Sequence, residues 1–160
     1  MNESKWLDQR EQQAWLTFVT ASTLLNRVLD QQLRTEAGLS HVQYGILARL
    51  AASPDGSMRM LALAEALAVT KSGLTYQIVQ LEKEGLISRG ACPTDDRGVV
   101  AAITARGMEL MRRAAPGHVG LVRELVIDAL TQQQLDVLAE GFAGVQRRIV
   151  ERKMQLSPTG

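Results

Sequence analysis

Apolar positions along the chain fall mainly on a helical period, broken once by a stretch that alternates like a strand. From about Arg10 to Leu33, the residues Trp15, Phe18, Val19, Leu25, Val28 and Leu29 recur at helical spacing, and Gly38 ends the element. A second helix opens at Ser40, where Gln43 three residues later completes a capping-box signature, and Val42, Ile46, Leu47 and Leu50 form its predicted buried stripe. Ser53–Pro–Asp–Gly56 reads as a turn. A short helix follows over Met60–Leu67, and Thr70 is the expected N-cap of another that runs to Glu84. In that helix Leu74, Ile78 and Leu81 stand on one face, and Gly85 suits the left-handed position past its end.

The run from Leu86 to Thr104 reads as strand, Pro/Asp/Gly turn and strand, a hairpin. Thr104 then opens a long helix with Met111, Ala115, Val119, Val122 and Val126 on its apolar side. Pro116 within it predicts a kink or break at Ala115. Thr131 and Gln134 repeat the capping-box pattern ahead of Leu135, Leu138, Phe142, Val145 and Ile149, whose 3-4 steps are heptad-like. The last four residues, Ser–Pro–Thr–Gly, read as a frayed tail. The expected fold is therefore mainly α with a small β-hairpin wing, a winged helix–turn–helix flanked on both sides by long helices.

The second helix of that motif has an unusual polar face. Opposite Leu74, Ile78 and Leu81 it carries Lys71, Ser72, Thr75, Tyr76 and Gln77, and no acidic residue occurs between Glu65 and Glu82. A helix that is merely solvated usually interleaves carboxylates with its lysines. Hydroxyls and backbone N–H groups near a helix N-terminus grip phosphates, while Gln, Thr and Tyr reach base edges in a major groove. The hairpin adds Arg89 at its start and Arg97 at its tip, with Asp95 two residues earlier. An arginine at a wing tip can enter a minor groove while a nearby carboxylate orients it.

Composition narrows this further. With 160 residues, a formal charge of +1 offers no strong overall field, so any attraction to a polyanion must be local. The single cysteine, Cys92, excludes an internal disulfide framework and a cysteine zinc cluster. No Lys or His flanks Cys92 to lower its pKa, the nearest cation being Arg89, so oxidant sensing is not the expected role. No signal-peptide pattern and no apolar run near the roughly 20 residues that span a bilayer are present, so no membrane association and a cytoplasmic location are expected. Carboxylate pairs such as Asp95–Asp96 fall in turns, and no nucleophile–base pair, Gly-rich phosphate loop or HExxH accompanies them. An enzyme, a metal and a cofactor are not expected.

Three stretches, LSHVQYGILARLA, LALAEALAVTKSGLTYQIVQLEKEGLISR and DDRGVVAAITARG, make the chain resemble the MarR family of dimeric transcription regulators over about Arg10–Lys153. The resemblance implies one MarR-type domain over 1–160. Helices at 10–36 and 104–153 would form the dimer base, and a winged helix–turn–helix lobe would occupy 40–104. It implies that Thr70–Gln77 is the groove-reading end of the recognition helix and Arg97 the minor-groove arginine. Tyr76 stands where many members carry Arg, which shifts weight to hydroxyls, backbone N–H groups and Arg89.

The resemblance also implies a small-molecule pocket between dimer base and lobe. Trp15, Phe18, His41, Tyr44 and His118 are candidates to line it and would suit a small aromatic acid or phenol. The function expected is a sequence-specific DNA-binding regulator, a repressor released by an effector, acting as a homodimer on a near-palindromic operator in double-stranded DNA. The alternative is a winged-helix module that docks another protein and does not bind DNA.

Overall fold

The computed structural model describes residues 5–92 and 95–156, without the side chains of 92, 95–97 and 153–156. The chain divides into two compact units, Met1–Val119 and Gly120–Gly160.

In the first unit, α1 (Gln9–Ala37) starts one residue earlier and ends four residues later than its periodicity suggests. Asp8 caps it, accepting from Glu11 N at 2.8 Å, while the Glu11 carboxylate accepts from Asp8 N at 2.9 Å. Both fill N-terminal N–H valences that the helix cannot. Helix α2 (His41–Ala52) begins at Ser40 with the anticipated reciprocal cap to Gln43. Its buried stripe is Tyr44, Ile46, Leu47 and Leu50; Val42 is 41% exposed and does not belong to it. The amphipathic Tyr44 takes that place because its ring packs inward against α5, described below.

After the Ser53–Gly56 turn comes β1 (Ser57–Arg59), which periodicity did not reveal. It pairs antiparallel with β3, so the wing is a three-stranded sheet of order β1-β3-β2 rather than a lone hairpin. Helix α3 (Met60–Ala66) leads through Leu67–Thr70 to α4 (Lys71–Lys83), and β2 (Ile87–Cys92) and β3 (Asp95–Ile103) follow. Gly85 has φ +70°, the left-handed conformation that turns the chain out of α4 at little steric cost.

The core lies under the motif. Leu33 and Leu39 from the end of α1 and its turn meet Ile46, Leu47 and Leu50 of α2, Leu63 of α3, Leu74, Ile78 and Leu81 of α4, and Ile87 of β2, all essentially inaccessible. Each such side chain contributes roughly 1.5–3 kcal/mol on burial. The recognition-helix candidate is therefore fixed from behind by three leucine or isoleucine anchors.

Helix α5 (Ala105–Val122) opens at Thr104, whose Oγ1 accepts from Gly107 N and donates to Gly85 O at 2.7 Å. Pro116 lies inside α5, which is not broken at Ala115. The irregularity comes later, as a π-helical turn over Arg123–Ile127 closed by Asp128 N donating to Arg123 O at 2.8 Å. The buried positions of α5 are Gly107, Met111 and Ala114, one residue off the anticipated Ala115, and Val119 is exposed.

In the second unit α6 (Gln132–Leu156) carries the expected cap: Thr131 Oγ1 accepts from Gln134 N, and Gln134 Oε1 accepts from Thr131 N. Of its heptad-like stripe, Leu138, Val145 and Ile149 are 45–51% exposed in the single chain. Exposed apolar residues also run along the N-terminal half of α1, including Trp15, Leu16, Phe18 and Val19.

Candidate nucleic-acid interface

Local capping sets the exposed face of α4. Thr70 Oγ1 accepts from Gly73 N at 3.1 Å, and Thr70 O accepts from Leu74 N at 2.9 Å. With Leu74, Ile78 and Leu81 inward, Lys71, Ser72, Thr75 and Tyr76 are exposed and Gln77 is half-buried. Thr70 thus serves first as a cap, its hydroxyl 3.4 Å from that of Ser72. Thr75 donates its hydroxyl proton to Lys71 O at 2.9 Å, which leaves the oxygen as an acceptor. The first turn holds no acidic residue, so nothing on the helix offsets the partial positive charge of its N-terminus.

Beside this face lies an open groove of about 490 Å³. Its walls include Arg59, Met60 and Leu61, Lys71 and Thr75 of α4, Arg89 of β2, and Gly98 and Val99 of β3. Three cationic side chains from three elements converge there, although the chain as a whole is near neutral. Arg59 was not foreseen, because its position depends on β1.

Arg89 is not simply a free cation. Its Nε and Nη2 both donate to Glu82 Oε2, at 3.0 and 2.7 Å, across seven residues from the last turn of α4 to β2. That hydrogen bonding holds the Glu82 carboxyl below the usual carboxylate range. The expected wing contacts Asp95 and Arg97, and Cys92, lie outside the described side chains.

The five residues anticipated around an effector separate into two groups. Trp15 and Phe18 form their own pair, ring centroids 6.2 Å apart, on the exposed part of α1. His41, Tyr44 and His118 come together: the His118 ring is 4.3 Å from Tyr44 and 5.7 Å from His41. Trp15 precedes Gln32 by about 25 Å along α1, at 1.5 Å rise per residue. Gln32 itself belongs with the second group. At Gly117 of α5 the ends of two α1 side chains reach the backbone, the Glu36 carboxylate into the space a β-carbon would take and the Gln32 amide nitrogen 3.0 Å from it. Gln32 Nε2 donates to Glu36 Oε2 at 2.6 Å, and Asp30 Oδ1 accepts from His41 N at 2.9 Å.

Two side-chain atoms at this corner, Gln32 Oε1 and His118 Nδ1, are buried and have no hydrogen-bond partner among the described residues. Gln32 and Glu36 escaped sequence reasoning, since polar residues on a long helix carry no sign of what will dock on them. Burial, then the charge of His41, lowers the His118 pKa from its ordinary 6.5, and burial raises that of Tyr44. The folded state therefore disfavours protonated His118, whereas the unfolded chain takes the proton near pH 6.5. Its contribution is present above that pH and is lost as pH falls below it. Thermal melts between pH 7.5 and 5.5 should fall more steeply for the wild type than for His118→Gln. Parallel curves would remove His118 as the cause.

Among the described residues no cluster of three or more His, Cys, Asp or Glu side chains could hold a metal. Nor is any helix among them long and apolar enough to cross a membrane.

Comparison with known proteins places these features in a lineage. The family model described as "MarR family" matches residues 39–99, which contain α2 through most of the wing. The crystal structure of Sco3205, a MarR family transcriptional regulator from Streptomyces coelicolor in complex with DNA, is 42% identical. The match covers 99% of this chain and 95% of that one, with a TM-score of 0.85. AbsC, a MarR family transcriptional regulator from the same organism, is 36% identical over 92% of this chain and 99% of its own, with a TM-score of 0.88. The HTH-type transcriptional regulator MhqR of Bacillus subtilis is 26% identical over 103 residues, 64% of this chain and 69% of MhqR. Its members are transcription regulators, not enzymes, and with two relatives above 30% identity over nearly their whole length, this chain belongs to the MarR family.

Proposed function

We propose that this regulator binds double-stranded DNA sequence-specifically as a homodimer and represses transcription until a small molecule releases it. The observation that carries the proposal is the exposed, acid-free N-terminal half of α4 beside a groove lined by Arg59, Lys71 and Arg89. The 42%-identical Sco3205, crystallised in complex with DNA, supports DNA as the ligand. In this reading Lys71, Ser72 and the N-terminal N–H groups of α4 hold phosphates. Thr75, Tyr76 and Gln77 meet base edges, and Thr70 sets the helix start. Arg97 at the wing tip enters the minor groove, and Asp95 orients it.

Homodimerisation follows from the apolar side chains exposed on α1 and α6, which in water would leave a large unpartnered surface. Trp15 and Phe18 are then seam residues. The effector site is assigned to His41, Tyr44 and His118 with the unpartnered Gln32 Oε1. Aromatic walls and polar atoms lacking partners suit a phenol or aromatic acid. Such a ligand acts only through different affinity for DNA-competent and incompetent arrangements. DNA acting as the partner implies work in the cytoplasm.

Gel shift against the DNA flanking the chain's own gene tests the assignment. A retarded species resistant to excess unrelated duplex, and dissociated by an aromatic acid, is expected. Dissociation unaltered by Tyr44→Ala and His118→Ala would move the effector site elsewhere. Equal competition by unrelated duplex would remove the sequence-specific reading.

A further inference from the structure

Glu82 presents an apparent contradiction. It is the one acidic residue of α4, ending a stretch from Ala66 that avoids carboxylates, yet it stands on the element proposed to face a polyanion. The geometry gives it a partner. A single carboxylate oxygen takes both Nε–H and Nη2–H of Arg89, and the two side chains remain about one-third exposed. The other end of the guanidinium, Nη1, is not used by this pair. Arg89 also has a fixed origin: its Cα is paired with Ala101 of β3, which is wholly buried. The same side chain lines the groove shared with Lys71 and Thr75.

We propose that Glu82 is a positioning residue for DNA binding, holding Arg89 by one edge so that its remaining donors face a backbone phosphate in the groove between α4 and the wing. This rests on the DNA-binding reading above. An exposed arginine samples many rotamers and loses that freedom when it grips a phosphate. A guanidinium already clamped on one edge loses less, and retains donors for the ligand. The clamp also joins recognition helix and wing, so both approach the duplex with Arg89 in one geometry. Glu82 thereby raises affinity for the preferred site although its charge repels DNA.

That opposition of signs makes the test sharp. Fluorescence anisotropy titrations would compare wild type, Glu82→Ala, Arg89→Ala and the double variant on the preferred duplex and on a scrambled one across a salt series. Melting temperatures would be measured alongside. Arg89→Ala should weaken the preferred complex about tenfold and reduce the salt slope by about one per bound chain. Glu82→Ala should weaken the preferred complex roughly three- to fivefold, while scrambled-duplex affinity stays level or rises. The double variant should bind no worse than Arg89→Ala alone, because Glu82 acts only through Arg89.

Preferred-site binding by Glu82→Ala equal to or tighter than wild type would overturn the proposal. So would independent, additive losses, or equal weakening on both duplexes together with a lowered melting temperature, the signature of a plain staple between α4 and β2. Failure of the wild type itself to distinguish the two duplexes would instead overturn the DNA-binding reading, a separate and recognisable outcome.

Discussion

Replacing Lys71 by glutamate is expected to lower affinity for the preferred duplex by about 100-fold at roughly 0.1 M salt, without lowering the melting temperature. Lys71 is the first residue of α4, exposed, and in no salt bridge among the described residues. In the proposed complex, losing its charge removes one phosphate contact per chain and the counterion release that accompanies it. The new carboxylate adds repulsion, and a dimer carries the change twice. Stability should move the other way. An acid in the first turn interacts favourably with the helix dipole, by about 0.3–1 kcal/mol. Glutamate there is thus mildly good for the fold and bad for DNA binding. Anisotropy and thermal melts on one preparation decide it. A fall in both would mean misfolding, and unchanged affinity would remove Lys71 from the interface.

Gly107→Ala is expected to destabilise the first unit by about 3 kcal/mol, the upper part of the range for overpacking. A β-carbon at Gly107 would collide with the backbone carbonyl oxygen of Leu86 and lie 2.8 Å from Ile103 Cγ1. The carbonyl cannot easily retreat, because it accepts from Thr104 N at 3.0 Å while Thr104 Oγ1 holds the neighbouring Gly85 O at 2.7 Å. These contacts seat the start of α5 on the turn that links α4 to the wing. For a chain of this size the cost corresponds to a melting temperature lower by about 10 °C. A shift under about 2 °C would show that the junction relaxes freely.

Elements governed by local chemistry were legible from the residues. Ser40, Thr70 and Thr131 cap where their spacing indicates, Gly85 adopts the left-handed turn, and Leu74, Ile78 and Leu81 are the buried face of α4. The Asp8–Glu11 capping box that starts α1 is equally local chemistry, but it lies ahead of Trp15, where the counted apolar period begins. Strand β1 was not legible, since three residues give no period to count and only pairing with β3 defines them. Taking Arg59 into the groove depends on that strand. At Val42 and Tyr44 the period allowed either side of the stripe, and the tilted contact between Tyr44 and His118 settled it.

Of the kink or break expected at Pro116, the break does not occur, because removing one hydrogen bond does not interrupt a helix whose flanking turns continue. For the site, the polar face of α4 was visible as a missing charge type. The Glu82–Arg89 pair and the Gln32–Glu36 approach to Gly117 were not, because they join elements that only the folded chain brings together.

The central claim is that α4 reads DNA, and selection of bound duplexes from a random library by the full-length protein tests it most directly. The account predicts a two-fold symmetric consensus with half-sites about one helical turn apart, roughly 10 bp. Gln77→Ala should relax it at the same one or two positions in each half while retaining the rest. A library that emerges without consensus at moderate salt, or a consensus indifferent to substitutions at Lys71, Thr75 and Gln77, would contradict the claim.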